Sequence, residues 1–82
     1  MNEELYKKVL NGEHVELGRE HYIAPAGIVD FMTTKGYEYD IDTNGWQHDF
    51  WIRFTHNDEK LENIILAGCW YYGGQTLGYD ND

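Results

Sequence analysis

The stretch "YEYDIDTNGWQHDFWIRF", Tyr37–Phe54, admits two readings. Asp40-Ile41-Asp42-Thr43-Asn44-Gly45 opens like a calcium-binding EF-hand loop. It also reads as two strands joined by an Asn-Gly turn. An EF-hand loop needs oxygen ligands at alternate positions, a glycine at its sixth and a bidentate glutamate at its twelfth. Asp40, Asp42, Asn44 and Gly45 fit the first half. The twelfth position is Trp51 and the ninth is His48, a poor ligand for a hard cation. The flanks alternate with a period of two, as strands do, and not with the period of a helix. Asn-Gly is a strong signal for a two-residue hairpin turn, because both residues accept positive φ. That turn would set Tyr39 opposite Phe50, Tyr37 opposite Ile52 and Ile41 opposite His48, which makes one face almost wholly apolar. The hairpin explains both flanks and the calcium loop explains half a motif, so the hairpin is the reading adopted.

The same register predicts the second face. Glu38, Asp40 and Asp42 line one strand, with Trp51, Asp49 and Gln47 across from them, and Asp40 meets Asp49. Like charges directly opposed are destabilising. The plain reading is a solvated face, softened by Arg53, with Trp51 covered by a loop. The sharper reading is a face that binds something cationic. A third is a weak divalent-cation site at Asp40, Asp42 and Asp49.

Working outward, Asn2 suits a helix N-cap, and Glu3 and Glu4 suit its first turn. Leu5, Tyr6, Val9 and Leu10 form an apolar stripe that stops at Gly12. Val15 and Leu17 alternate with His14 and Glu16. Gly18-Arg19 can turn the chain back through Ile23 as a small N-terminal hairpin. A second helix is predicted over about 25–35, with Pro25 in its first turn. Ile28, Phe31 and Met32 face inward and Gly36 ends it. Strands follow at about 37–43, 46–55, 62–72 and 75–79. The expected fold is α+β, with two helices packed on one face of a four-stranded, mostly antiparallel meander. The N-terminal hairpin is an optional addition. The expected core holds Leu5, Val9, Ile28, Phe31, Met32, Tyr39, Phe50, Ile52, Ile65 and Trp70.

Eighty-two residues make one domain, 1–82. A chain this short leaves little room for a large internal active site. Its three Trp, seven Tyr and three Phe let few residues bury much area. Six Lys+Arg against 15 Asp+Glu give a net charge of −9, spread along the chain. Such a field repels nucleic acid and anionic membranes and attracts basic surfaces. One cysteine, Cys69, allows no internal disulfide. No apolar run is long enough to cross a bilayer, and the acidic start is unlike a signal peptide. A cytoplasmic protein is expected.

Candidate chemistry is sparse. The chain has no serine. His14, His21, His48 and His56 stand at no metal-site spacing. Cys69 lies in "IILAGCW", where a small buried thiol is expected; a small enzyme using Cys69 with a histidine stays as an alternative. The glycines of "YYGGQTLGY" read as a hairpin turn, plus a Gly78 that lets another chain approach. Trp70, Tyr71, Tyr72 and Tyr79 form a second candidate interface, the last of them on a final strand expected at the sheet edge. A self-associating module, a homodimer through that edge, is a further alternative.

In size, acidity and lack of a catalytic constellation, the chain resembles the small acidic inhibitors of phages and mobile elements. These include anti-CRISPR, anti-restriction and glycosylase-inhibitor proteins. The resemblance is one of composition and carries no residues over. It implies a non-enzymatic DNA mimic that occupies a basic, nucleic-acid-handling protein. On the residues, Glu38, Asp40, Asp42 and Asp49 would stand in for phosphates, and Trp51 would be the apolar anchor. No cofactor is expected.

Overall fold

The opening helix, α1 (Glu3–Leu10), carries acids in its first turn and lysines in its last, each favourable to the helix dipole. It ends where Gly12 takes φ 90°. The Gly12 N–H then donates to the Val9 carbonyl at 2.9 Å and the Glu13 N–H to the Lys8 carbonyl at 3.1 Å. This is the paired bonding of a Schellman stop, which favours glycine. Five further elements follow β1 (Val15–Leu17): α2 (Ala24–Thr34), β2 (Tyr37–Asn44), β3 (Asp49–His56), β4 (Ile64–Cys69) and β5 (Gln75–Tyr79). These come from a computed structural model that describes residues 3–17, 24–44, 49–69 and 74–80. At 24–26, 43, 44, 49 and 69 only the backbone is described.

The strands form one antiparallel sheet in the order β1-β5-β4-β3-β2. The meander from β2 to β5 matches the sequence reading, and the class is α+β. Among the described residues the sheet has five strands, the fifth being Val15–Leu17 from the optional N-terminal addition. Val15–Leu17 pairs with β5, setting Val15 against Leu77 and Leu17 against Gln75. The return arm of the expected N-terminal hairpin lies outside the described residues. β5 is therefore an inner strand, and the expected C-terminal edge is corrected. The outer strands are the short β1 and the eight-residue β2.

The β2–β3 register is also corrected. Tyr39 pairs with Phe54 rather than Phe50, Tyr37 with His56 rather than Ile52, and Ile41 with Ile52 rather than His48. The shift is four residues along β3. An even shift preserves which side chains share a face, because strand side chains alternate with a period of two. The faces are therefore as read, and the partners are not. Asp40 stands across from Arg53, and Asp49 across from Asn44.

One face carries the core. Ile52, Leu66 and Leu77 form one cross-strand row on it, and Phe54 and Ile64 begin another. All five are buried and join Tyr6, Val9, Ile28 and Met32 of the helices in one cluster. α2 lies against β2, and α1 against β1 and β5. β4 resolves its ambiguity by burying Ile64 and Leu66 and turning Ile65 to the other face. Phe50 packs over Gly68, where an added Cβ would sit 2.8 Å from the ring. Of the expected core, Val9, Ile28, Met32, Phe50 and Ile52 are buried, and Leu5 and Phe31 pack against the cluster. Tyr39 is exposed, and Trp70 lies outside the described residues. At Gly78 the close neighbour is a side chain of the protein itself: a Cβ there would meet the His14 imidazole at 2.5 Å.

Candidate partner-binding face

The face away from the core is built by the alternate residues of each strand. β2 contributes Glu38, Asp40 and Asp42, all exposed. β3 contributes Trp51 across from Asp42, Arg53 across from Asp40, and Thr55 across from Glu38. β4 continues the rows with Ala67 beside Trp51 and Ile65 beside Arg53. Trp51 keeps 39% of its surface exposed. Asp40, Ile41, Asp42, Trp51, Arg53 and Ile65 line a shallow open depression of about 550 Å³.

The electrostatics follow from the corrected register. Arg53 is the only Lys or Arg among the described residues of this face. Its Nε donates to Asp80 Oδ2 at 2.9 Å, so its charge is already matched. Asp80 is held there by its own backbone, whose N–H donates to the Asn63 carbonyl at 2.9 Å. Glu38, Asp40 and Asp42 share a strand face at spacings of roughly 7 Å, which leaves an acidic row with one neutralised cation beside it.

Of the five expected site residues, four, Glu38, Asp40, Asp42 and Trp51, share the open face, with Trp51 across from Asp42 rather than Glu38. The fifth, Asp49, is at the far end of β3, and its side chain lies outside the described residues. Its row is that of Asn44, four residues along β2 from Asp40, or roughly 13 Å at strand rise. That row separates the backbone of Asp49 from that of Asp40, the pair that the hairpin reading had set face to face. The Asp40–Asp49 repulsion disappears for the same reason. Of the second candidate interface, Trp70, Tyr71 and Tyr72 lie outside the described residues. Tyr79 sits on inner strand β5 and donates from its hydroxyl to the Leu10 carbonyl at 2.8 Å, tying the sheet to α1.

The remaining polar groups do structural work. His56 Nδ1 accepts from the Asp58 N–H at 2.9 Å, so Nε2 carries the ring proton and donates to the Lys35 carbonyl at 3.0 Å. The ring thereby joins the ends of β3 and α2. Tyr37 and Tyr6 share a hydroxyl–hydroxyl bond of 3.1 Å in the core. Burial, aided by that bond, pushes the Tyr37 phenol far above its ordinary range. Lys35 pairs with Glu3 and lies over the Tyr6 and Phe31 rings at 5.4 and 5.3 Å. Cys69 stands across from Asp49. His56 is seven residues further along β3, at the opposite end of the sheet, and His21 and His48 lie outside the described residues. Among the described residues no three His, Cys, Asp or Glu side chains gather to hold a metal, and no helix is long and apolar enough to cross a membrane.

Fold and face together define an α+β domain that displays an acidic sheet surface. Comparison with family models, with curated proteins and with solved structures finds no match.

Proposed function

We propose that this protein is a small, non-enzymatic binding protein whose acidic sheet face occupies the basic, nucleic-acid-handling surface of a partner. In this it would act as the acidic phage and mobile-element inhibitors do, which it resembles in composition. The observation that carries the reading is the uninterrupted row Glu38, Asp40, Asp42 beside exposed Trp51, with Arg53 already engaged by Asp80. Carboxylates at regular spacing offer lysine and arginine the acceptors that phosphates would. Trp51 supplies the aromatic anchor on which interface energy concentrates. The net charge of −9 steers a cationic partner toward the protein from a distance.

The test is a pull-down from nuclease-treated bacterial lysate. The baits are the wild type and an E38Q/D40N/D42N variant, each at low and high salt. The expected result is a basic protein retained by the wild type at low salt only and lost by the variant. Adding the wild type should also displace that protein from nucleic acid. A retained partner whose affinity is unmoved by salt would overturn charge mimicry, because exposed charges are screened within a Debye length of about 10 Å at 0.1 M.

A further inference from the structure

β2 leaves two things open at once. It is an outer strand of the sheet, eight residues long, and among the described residues one of its backbone edges has no neighbouring strand in the sheet order. It also carries uncovered apolar side chains on its core-side parity: Tyr39 is 47% and Ile41 53% exposed. The other outer strand, β1, is three residues long. A long outer strand with apolar side chains is a template for a further strand.

The charge pattern selects the occupant. We propose that β2 is the docking edge for an extended, basic segment of a partner protein, which adds to the sheet as a sixth strand. Its cationic side chains lie beside Glu38, Asp40 and Asp42, and its alternate apolar side chains cover Tyr39 and Ile41. The inference rests on the reading of the open face as a binding surface, and it gives that partner its local conformation.

A second copy of the chain does not fit. Two-fold antiparallel pairing of β2 with itself sets residues of the same parity opposite each other. Glu38, Asp40 and Asp42 would then meet carboxylates in every register centred on this segment, a destabilising arrangement. A helix fits no better, because its periodicity of 3.6 cannot match charges repeating every second residue, and it has no backbone groups to offer the open edge. A strand with cations at alternate positions satisfies the charges, the apolar side chains and the backbone together.

The test uses the full chain, isotope-labelled, and a short synthetic peptide alternating lysine and valine. Two controls accompany it: the same peptide N-methylated at every residue, and its glutamate–valine counterpart. The expected result is saturable binding of the lysine peptide, with slowed hydrogen exchange at alternate β2 amides. N-methylation should weaken binding by at least about tenfold, because it removes the strand hydrogen bonds and keeps the charge. The glutamate peptide should not bind. Equal binding of the N-methylated peptide, with β2 exchange unchanged, would overturn strand addition and leave the acidic-face reading standing. Equal binding of the glutamate peptide would overturn charge selection. Failure of both cationic peptides, or a dimer in sedimentation that excludes them, would overturn strand addition by a basic segment; the acidic-face reading would then stand or fall on the lysate capture alone.

Discussion

Tyr37 and Tyr39 lie on the same face of the same strand, two residues apart. Tyr37 is 3% exposed and Tyr39 47%. The strand is regular through both, so the difference arises in what lies above it. α2 ends at Thr34, and the chain turns at Gly36, where φ is 95°. It enters β2 directly beneath the helix end. Tyr37 is therefore roofed by Tyr6, its ring edge-on at 6.3 Å, and flanked by His56 at 4.9 Å. Further along β2 the cover gives out, and Tyr39 and Ile41 face solvent. One end of the strand is core, and the other is surface with core-like side chains. A strand's own pattern specifies which residues share a face, whereas burial depends on how far the covering element extends.

The largest expected effect tests the row that crosses from one regime to the other. Phe54, fully buried, stands across from Tyr39. Phe54→Ala should cost about 3–5 kcal/mol, enough to unfold much of a domain this small. Tyr39→Ala should cost on the order of 1 kcal/mol. Urea denaturation of both variants measures the contrast, and equal losses would mean that the far end of β2 is covered after all.

The turn that leads into Tyr37 comes next. A Cβ at Gly36 would sit 2.7 Å from His56 Nε2, at a backbone conformation that other residues rarely adopt. Gly36→Ala should destabilise by roughly 1–3 kcal/mol. Gly27, exposed in the same helix, has nothing within 4 Å of its own Cβ position. Gly27→Ala should stabilise by about 0.5–1 kcal/mol. Thermal melts showing the same sign for both would break this account of α2.

A smaller effect at Tyr37 depends on pH. The raised pKa of Tyr37 means that the folded state holds its proton more tightly than the unfolded state does. That stability is fully present below the ordinary phenol pKa near 10 and is lost as pH rises above it. Tyr37→Phe should cost about 1 kcal/mol at neutral pH through the lost bond to Tyr6. It should also flatten the decline in stability above pH 10. Denaturant midpoints of the wild type and Tyr37→Phe measured from pH 8 to 11 check both expectations.

The smallest effect lies on the open face. Asp80→Asn should cost about 1 kcal/mol, because Arg53 is half exposed even though the Asp80 carboxylate is largely covered, and the cost should shrink with added salt. The same substitution frees Arg53 beside Asp40, so it should weaken capture of a basic partner, read in the same lysate pull-down.

Much of this arrangement was legible in the residues. The alternation in Tyr37–Phe54 separated the acidic row from the apolar one, and glycines marked both helix ends. Asn44-Gly45 named the turn region but misplaced the partners, since β2 runs through Asn44 and β3 begins at Asp49. Turn chemistry is a local preference of a few tenths to about 1 kcal/mol, and the pairing of a whole ladder outweighs it. Nothing local in Val15-Glu16-Leu17 indicated a strand on β5, about sixty residues later, because that pairing is rewarded only once the sheet exists. In "LENIIL" both parities are apolar, so the buried side of β4 carried no signal in its pattern.

What the sequence determined by itself was therefore periodic and local: the α+β class, the approximate places of the elements, the acidic charge, and which side chains of the hairpin share a face. The tertiary structure decided which β3 residue each β2 residue meets, that Arg53 stands between Asp40 and Asp80, that β5 is enclosed, and that β2 remains an outer strand half covered by α2. Those outcomes depend on packing between segments distant in the chain, where the burial of whole rows such as Ile52, Leu66 and Leu77 outweighs the preference of any one turn.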